Sequence, residues 1–345
     1  MKLNTEIIKS ITTGAVCVSE TADGIGFHRF STEQEEYYKK ASIEQEINSY
    51  DRCLATAGIR LMFRTNSKTL KLKGGVKKRT SRNYYSFDIF ADGKEIGHID
   101  NFSNCELPVD YTRFEFPLSE FSGEFLLPEG TKEVCIYFPW SVEPTIREIS
   151  IDDGALIEPV KREKKLLAFG DSITQGYDAL RPSMRYVSRL ADMLGAEEIN
   201  KGIGGEFFVP ALAELKEKFT PDYITVAYGT NDWSKKNEED FKSRCKNFFK
   251  IIKSSYPQSK IFAITPIWRA DYLDESEFGL FENVEKDINT AIYGLDNVFP
   301  VSGFNLIAHD KKYFADLKLH PNDEGFRQYT DNLYKEMLYY LRKGI

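Results

Sequence analysis

Beyond residue 165 the sequence alternates in strict order between short apolar runs and longer amphipathic ones. KLLAF, AEEIN, YITVAYG and KIFAITP read as short buried strands. Between and after them lie MRYVSRLADMLG, VPALAELKEKF, EEDFKSRCKNFFKIIKSSY and ENVEKDINTAIYGL, which repeat their apolar residues at helical spacing. Strand, helix, strand, helix leaves one economical solution, a parallel α/β sheet with helices on both faces. The last segment, DEGFRQYTDNLYKEMLYYLRK, reads as a long amphipathic helix that closes this domain. In such sheets ligands bind outside the carboxyl ends of the strands, so those ends are where chemistry is to be sought.

The first half has a different texture. AGIRLMFRT, TLKLKG, YYSFDIFADGKEIGHID, TRFEFPL, GEFLLPEG, EVCIYFP and REISID are short runs rich in β-branched and aromatic residues. Within YYSFDIFADGKEIGHID, Asp92-Gly93 joins two strands and predicts a hairpin, because a tight hairpin turn needs φ > 0 at its centre. Strands at this spacing suggest an all-β sandwich or jelly roll. The charged stretch 31–51 interrupts the pattern and reads as an exposed loop or a short helical insertion. With 345 residues the chain exceeds a typical single domain. The polar linker EPVKREKK (158–165) then separates a β domain, 1–157, from an α/β domain, 158–345.

Composition narrows the function classes. A net charge of −7 argues against nucleic acid and anionic membranes, which reward basic patches. No apolar run approaches the ~20 residues needed to span a bilayer, and the amino terminus lacks the apolar stretch of a secretory signal. Five scattered cysteines, with no CxxC pair, imply neither a disulfide framework nor a zinc site. The expectation is a reduced, cytoplasmic protein with no metal and no cofactor.

Three candidate residues fall directly after predicted strands. Ser172 follows KLLAFGD, Gly205 lies in EINKGIGGEFF, and Asn231 lies in YITVAYGTNDW. Taken singly, each has an ordinary explanation: a helix cap, a tight turn and a turn asparagine. Of the four histidines, His28, His98, His309 and His320, His28 and His98 belong to the β half. His320 stands before the last helix and near acidic residues. Ester hydrolysis by serine needs a nucleophile on a sharp turn, a base within reach, a group to orient that base, and donors for the oxyanion. Ser172, His320, a nearby aspartate, and Gly205 with Asn231 supply one candidate for each. Histidine suits the base because it takes and returns a proton near neutrality.

GDSIT at 170–174, NKGIGG, GTND and HPND, in that order, resemble the four sequence blocks of the SGNH (GDSL-type) hydrolases. The resemblance implies a doubly wound parallel sheet, Ser172 as nucleophile and His320 as general base. It also implies an oxyanion hole made by the N–H groups of Ser172 and Gly205 and the Asn231 amide. One departure stands out: the family's last block is DxxH, whereas here Asp316 precedes His320 by four. A bulge could still bring Asp316 to Nδ1; otherwise a backbone carbonyl orients the ring and the site is a Ser-His dyad. Asp323 reads better, with Asn322, as the start of the final helix.

A β-sandwich followed by such a domain is similar to the family 2 carbohydrate esterases. That likeness implies removal of acetyl groups from xylo- or manno-oligosaccharides, with an acetylated oligosaccharide or another small acyl ester as partner. Tyr177, Trp233, Trp268 and Arg269 are candidates for contacting substrate, each with packing as the competing role. Phe207 and Phe208 would make the crevice greasy. Two other readings stand beside this one: a small-molecule ester or thioester hydrolase with lipase-like activity, and a carbohydrate-binding protein without catalysis. The sequence does not specify the sugar or the oligomeric state.

Overall fold

The computed structural model describes residues 1–45, 49–235 and 237–343. The chain divides into two compact units. One comprises residues 1–163 with 180–183 and 197–199; the other comprises 164–179, 184–196 and 200–345.

The first unit holds two antiparallel sheets. In one, Thr12–Thr13, Arg60–Thr65, Lys132–Tyr137, Ser86–Ala91 and Lys94–Asp100 lie side by side, with Glu158–Pro159 also pairing Arg60–Thr65. In the other the order is Cys17–Thr21, Gly24–His28, Val142–Ile151, Thr69–Lys78, Phe121–Leu126. Both sheets contribute to one buried cluster, from Leu61, Phe63, Phe87, Val134 and Ile136 on one side to Phe27, Leu70, Leu72, Phe121 and Ile149 on the other. The ring of Phe87 meets that of Phe121 at 4.7 Å, and Phe27 meets Phe138 at 4.9 Å. Asp92 and Gly93 form the expected hairpin turn, with φ of 47° and 74°.

Two segments of this unit differ from expectation. TRFEFPL is not a strand: it opens with a 3₁₀ turn, Tyr111–Arg113. The backbone of Phe116 is then satisfied by the Asn83 side chain, whose Oδ1 accepts from its N–H at 3.0 Å and whose Nδ2 donates to its carbonyl. A segment whose backbone partners are supplied by a side chain has no need of a neighbouring strand. The charged stretch takes the helical option, as Thr32–Gln45 and Ser49–Cys53. Ser31 and Gln34 close its start reciprocally: the Ser31 N–H donates to Gln34 Oε1 at 3.0 Å and the Gln34 N–H donates to Ser31 Oγ at 3.3 Å. This is a capping box, legible as S-x-x-Q.

The second unit is built on five parallel strands: β1 (Lys164–Gly170), β2 (Ala196–Asn200), β3 (Tyr223–Ala227), β4 (Lys260–Ile264) and β5 (Val298–Val301). Their order is β2-β1-β3-β4-β5. The helices are α1 (Ser172–Gln175), α2 (Tyr186–Leu194), α3 (Pro210–Glu214), α4 (Thr230–Lys235), α5 (Glu238–Ser255), α6 (Glu282–Ile292) and α7 (Asp323–Lys343). Helix α7 packs with α2, and α5 packs with α3 and α6. Strand β5 was not anticipated, because VFPV has four residues and a proline; Pro300 is tolerated there because β5 is an edge strand. Helix α3 is shorter than VPALAELKEKF suggests. Past Glu214 the chain turns inward, where Glu217 forms a buried ion pair with Lys201 at 2.8 Å and its N–H donates to Tyr256 Oη.

With strand order 2-1-3-4-5 the direction of winding reverses between β1 and β3. The carboxyl ends of those two strands form the crevice where a doubly wound sheet binds its ligand.

Candidate active site

Strand β1 ends at Gly170, where a Cβ would lie 2.0 Å from Thr174 Oγ1 and 2.8 Å from the Ala227 carbonyl. Only glycine lets the chain turn this tightly into a helix. The cap of α1 is Asp171, whose Oδ1 accepts from the Ile173 N–H at 2.9 Å. Capping by Asp171 leaves the Ser172 hydroxyl available for another partner. Helix α1 stops after one turn at Gly176, φ 109°, with the N–H groups of Gly176 and Tyr177 both donating to the Ser172 carbonyl at 2.9 Å.

Ser172 Oγ lies 2.9 Å from His320 Nε2. On the far side of the ring, Nδ1 is 2.8 Å from Asp316 Oδ2. Asp316 Oδ1 accepts from three successive N–H groups, Lys318 at 2.9 Å, Leu319 at 2.7 Å and His320 at 3.0 Å. The additional residue between acid and base is absorbed at Leu317, which adopts a left-handed φ of 58°. The Ala315 N–H donates to the His320 carbonyl at 2.8 Å and closes the loop. Burial of the Asp316 carboxyl is outweighed by the His320 hydrogen bond and charge and by the backbone donors, so it titrates well below the usual carboxylate range. With the Nδ1 proton given to Asp316, Nε2 is the acceptor and the serine hydroxyl donates to it.

The loop after β2 is fastened to α1. The Asn200 amide donates to the Thr174 carbonyl at 2.8 Å, while its Oδ1 accepts from the Gly202 N–H at 2.9 Å. The Gly204 N–H donates to Gln175 Oε1 at 2.8 Å. A Cβ at Gly202 would stand 2.3 Å from the Gln175 nitrogen, so this glycine permits backbone to approach backbone. The Glu206 N–H then donates to the Ile203 carbonyl at 3.1 Å. This closes a four-residue turn with Gly205 in third place at φ 81°, the position where a type II turn requires φ > 0. Asn231, in the first turn of α4, donates from Nδ2 to the Glu206 carbonyl at 3.0 Å. One of its two amide protons thus holds the turn of Gly205, and the amide carries a second.

Two acids behind these loops are almost wholly removed from water. Burial pushes the Asp171 carboxyl up to about 6, against the Ile173 N–H that favours its charge. Burial likewise pushes Asp232, next to Asn231, up to about 7, opposed by the Phe208 N–H and reinforced by the charge of Asp171.

The four residues expected to meet substrate are all buried, at 4% exposure for Tyr177 and Trp233, 8% for Trp268 and 5% for Arg269. The Tyr177 ring stacks on His320, centroids 5.5 Å apart. Trp233 donates from Nε1 to the Gly279 carbonyl at 2.9 Å and lies under the Arg269 guanidinium. Trp268 stacks on His309. Arg269 donates to Thr230 and Ser234 and pairs with Asp271, which also pairs with Lys318 at 2.7 Å. Each thus has packing or bracing partners in the fold, and through Lys318 the Arg269–Asp271 pair supports the loop that carries Asp316. Phe208 is in the core against Tyr228 and Phe241.

Asn200, Gln175 and Asp178 were missed by sequence reasoning. Asn200 precedes the glycine block and ends a strand, which was the one signal available for it. Among the described residues, Asp178, Asp316 and His320 form the sole group of three metal-type ligands, within 4.8 Å of one another. Nδ1 and Nε2 of that histidine already face Asp316 and Ser172, an arrangement for moving a proton. The described residues include no helix long and apolar enough to cross a membrane.

Residues 168–328 match the model of the GDSL-like lipase/acylhydrolase family. No curated protein matches the chain. Among solved structures, a salicylyl-acyltransferase, SsfX3, from a tetracycline biosynthetic pathway is similar with a TM-score of 0.78 at 19% identity, covering 95% of this chain and 94% of the other. A GDSL-like lipase from Bacteroides ovatus gives 0.75 at 18% identity, covering 99% and 98%. A family two carbohydrate esterase from Clostridium thermocellum gives 0.61 at 16% identity, covering 83% and 94%. At these identities the likeness is one of fold.

Proposed function

We propose, from the match of residues 168–328 to the GDSL-like lipase/acylhydrolase family, that this carboxylic ester hydrolase is a serine esterase removing O-acetyl groups from oligosaccharides. The observation that carries the mechanism is the continuous relay Ser172 Oγ, His320 Nε2, His320 Nδ1, Asp316 Oδ2, with steps of 2.9 and 2.8 Å.

In this reading Nε2 takes the serine proton as Oγ attacks the ester carbonyl. The carbonyl oxygen becomes an oxyanion, received by the N–H groups of Ser172 and Gly205 and by the second amide proton of Asn231. The imidazolium, stabilised by Asp316, returns the proton to the leaving sugar hydroxyl. Water, deprotonated by the same nitrogen, then releases acetate and restores the serine. The likeness to family two carbohydrate esterases supports a sugar ester as substrate.

A second reading concerns the acceptor. The acyltransferase likeness has the higher TM-score and spans nearly all of both chains, which favours a small-molecule acyl ester whose acyl group passes to an alcohol. Acetate release from acetylated xylo- and manno-oligosaccharides, measured beside an aryl acetate, separates the two. Serine-dependent release from the sugars supports deacetylation. Cleavage of the aryl ester alone, with alkyl ester formed when an alcohol is added, favours transfer.

A further inference from the structure

Asp178 stands six positions after Ser172, in the turn that follows α1. Its Oδ2 lies 3.5 Å from Nδ1 of His320, on the nitrogen that Asp316 meets at 2.8 Å. The residue is completely buried. Its backbone is left-handed, φ 72°, in the turn closed by the Ala179 N–H and the Gly176 carbonyl. Glycine would occupy that conformation at lower cost, and aspartate tolerates it. A buried carboxylate at a costly backbone position beside the proposed base calls for a role. The preceding residue of the same turn, Tyr177, lays its ring on the imidazole.

We propose that Asp178 is a second carboxylate partner of His320, a positioning residue that shares with Asp316 the holding of the imidazole and the stabilising of its cation. This rests on the esterase reading above. The division of labour follows from the distances. Asp316 takes the Nδ1 proton in a hydrogen bond, whereas Asp178, beyond good hydrogen-bond length, acts through its charge. The loop bearing Asp316 contains a left-handed leucine and exposes Leu317 and Lys318. Asp178, by contrast, is fixed in the turn that ends the nucleophile's own helix. The second acid therefore holds the base from the side of the nucleophile's own helix, independently of the loop that carries Asp316.

The test uses Asp178→Asn, Asp316→Asn and the double variant in the full chain; asparagine suits a left-handed backbone. The groups facing His320 include Asp316 on its own loop, Ser172, Tyr177 and Asp178 around α1, and Asp171 at the cap of α1. Because burial raises the Asp171 carboxyl to about 6, the His320 ring is followed directly by NMR beside the pH dependence of kcat/KM. Removing an anion from beside an imidazole disfavours its cation, so Asp178→Asn should lower the pH of half-protonation and move the acid limb down by about half a unit or more. KM should not change. Asp316→Asn should cost about 10–10² in kcat while Asp178 remains, and the double variant on the order of 10⁴. An unmoved ring titration in Asp178→Asn, or a double variant no slower than Asp316→Asn, overturns the inference even if Asp178→Asn melts earlier. Activity surviving in Ser172→Ala would instead remove the esterase reading itself.

Discussion

Ser172 Oγ and His320 Nε2 stand 2.9 Å apart although 148 positions separate them in the chain. Neither side chain is placed by a single element of regular structure. Ser172 is aimed by a glycine-permitted turn capped by Asp171, and His320 by a loop wound around the carboxylate of Asp316. The chemistry depends on both turns holding their side chains to within about 0.5 Å of the productive geometry.

Ser172→Ala and His320→Ala should each remove nearly all hydrolysis of an aryl acetate while leaving circular dichroism and the melting temperature close to wild type. Near-wild-type turnover in either variant would end the serine mechanism.

Asn231→Ala should lower kcat by on the order of 10²–10³, the usual loss for an oxyanion donor. The same substitution also frees the Glu206 carbonyl from its 3.0 Å partner. A change in KM with kcat intact would assign Asn231 to loop structure alone.

Gly202→Ala should disturb α1 through backbone contact, because the new Cβ would fall 2.3 Å from the Gln175 nitrogen. Overpacking of this kind costs about 1–3 kcal/mol. Both the urea midpoint and kcat should fall, whereas Gly93→Ala, in open space at a turn, should spare activity.

Asp316 contributes to stability in a defined direction. Its folded-state pKa lies below its unfolded value, so its contribution is present above about 3.9 and is lost as pH falls through the folded value. Melting temperatures of wild type and Asp316→Asn should differ at pH 7 and converge at strongly acid pH. A gap that persists at low pH would mean that packing, not charge, carries the difference.

Asp232 works in the opposite sense. Its carboxyl is raised to about 7 in the fold, so between about 4 and that value the folded state binds the proton and the unfolded chain does not. Stability should therefore fall as pH rises through this window. Asp232→Asn should flatten that slope, as seen in melts between pH 4 and pH 8; an unchanged slope would show that Asp232 is ionised in the fold throughout.

Much of this protein was legible in one dimension. Apolar runs alternating with helical ones specified a parallel sheet, since a parallel pair needs a crossover and the crossover is a helix. The Asp92-Gly93 turn specified a hairpin through its backbone requirement. Ser172, Gly205, Asn231 and His320 each followed a strand or preceded a helix, where local pattern is informative. The strand order, the placing of Val298–Val301 at an edge, and the reach of Asp316 across one additional residue were decided by tertiary structure. So were the burial of Trp233, Trp268 and Arg269 and the approach of Asp178 to the imidazole. A sequence records which residues are apolar, flexible or chargeable along a line. Which face of a tryptophan is covered, or which of two carboxylates meets a nitrogen, depends on distances between segments that only packing brings together.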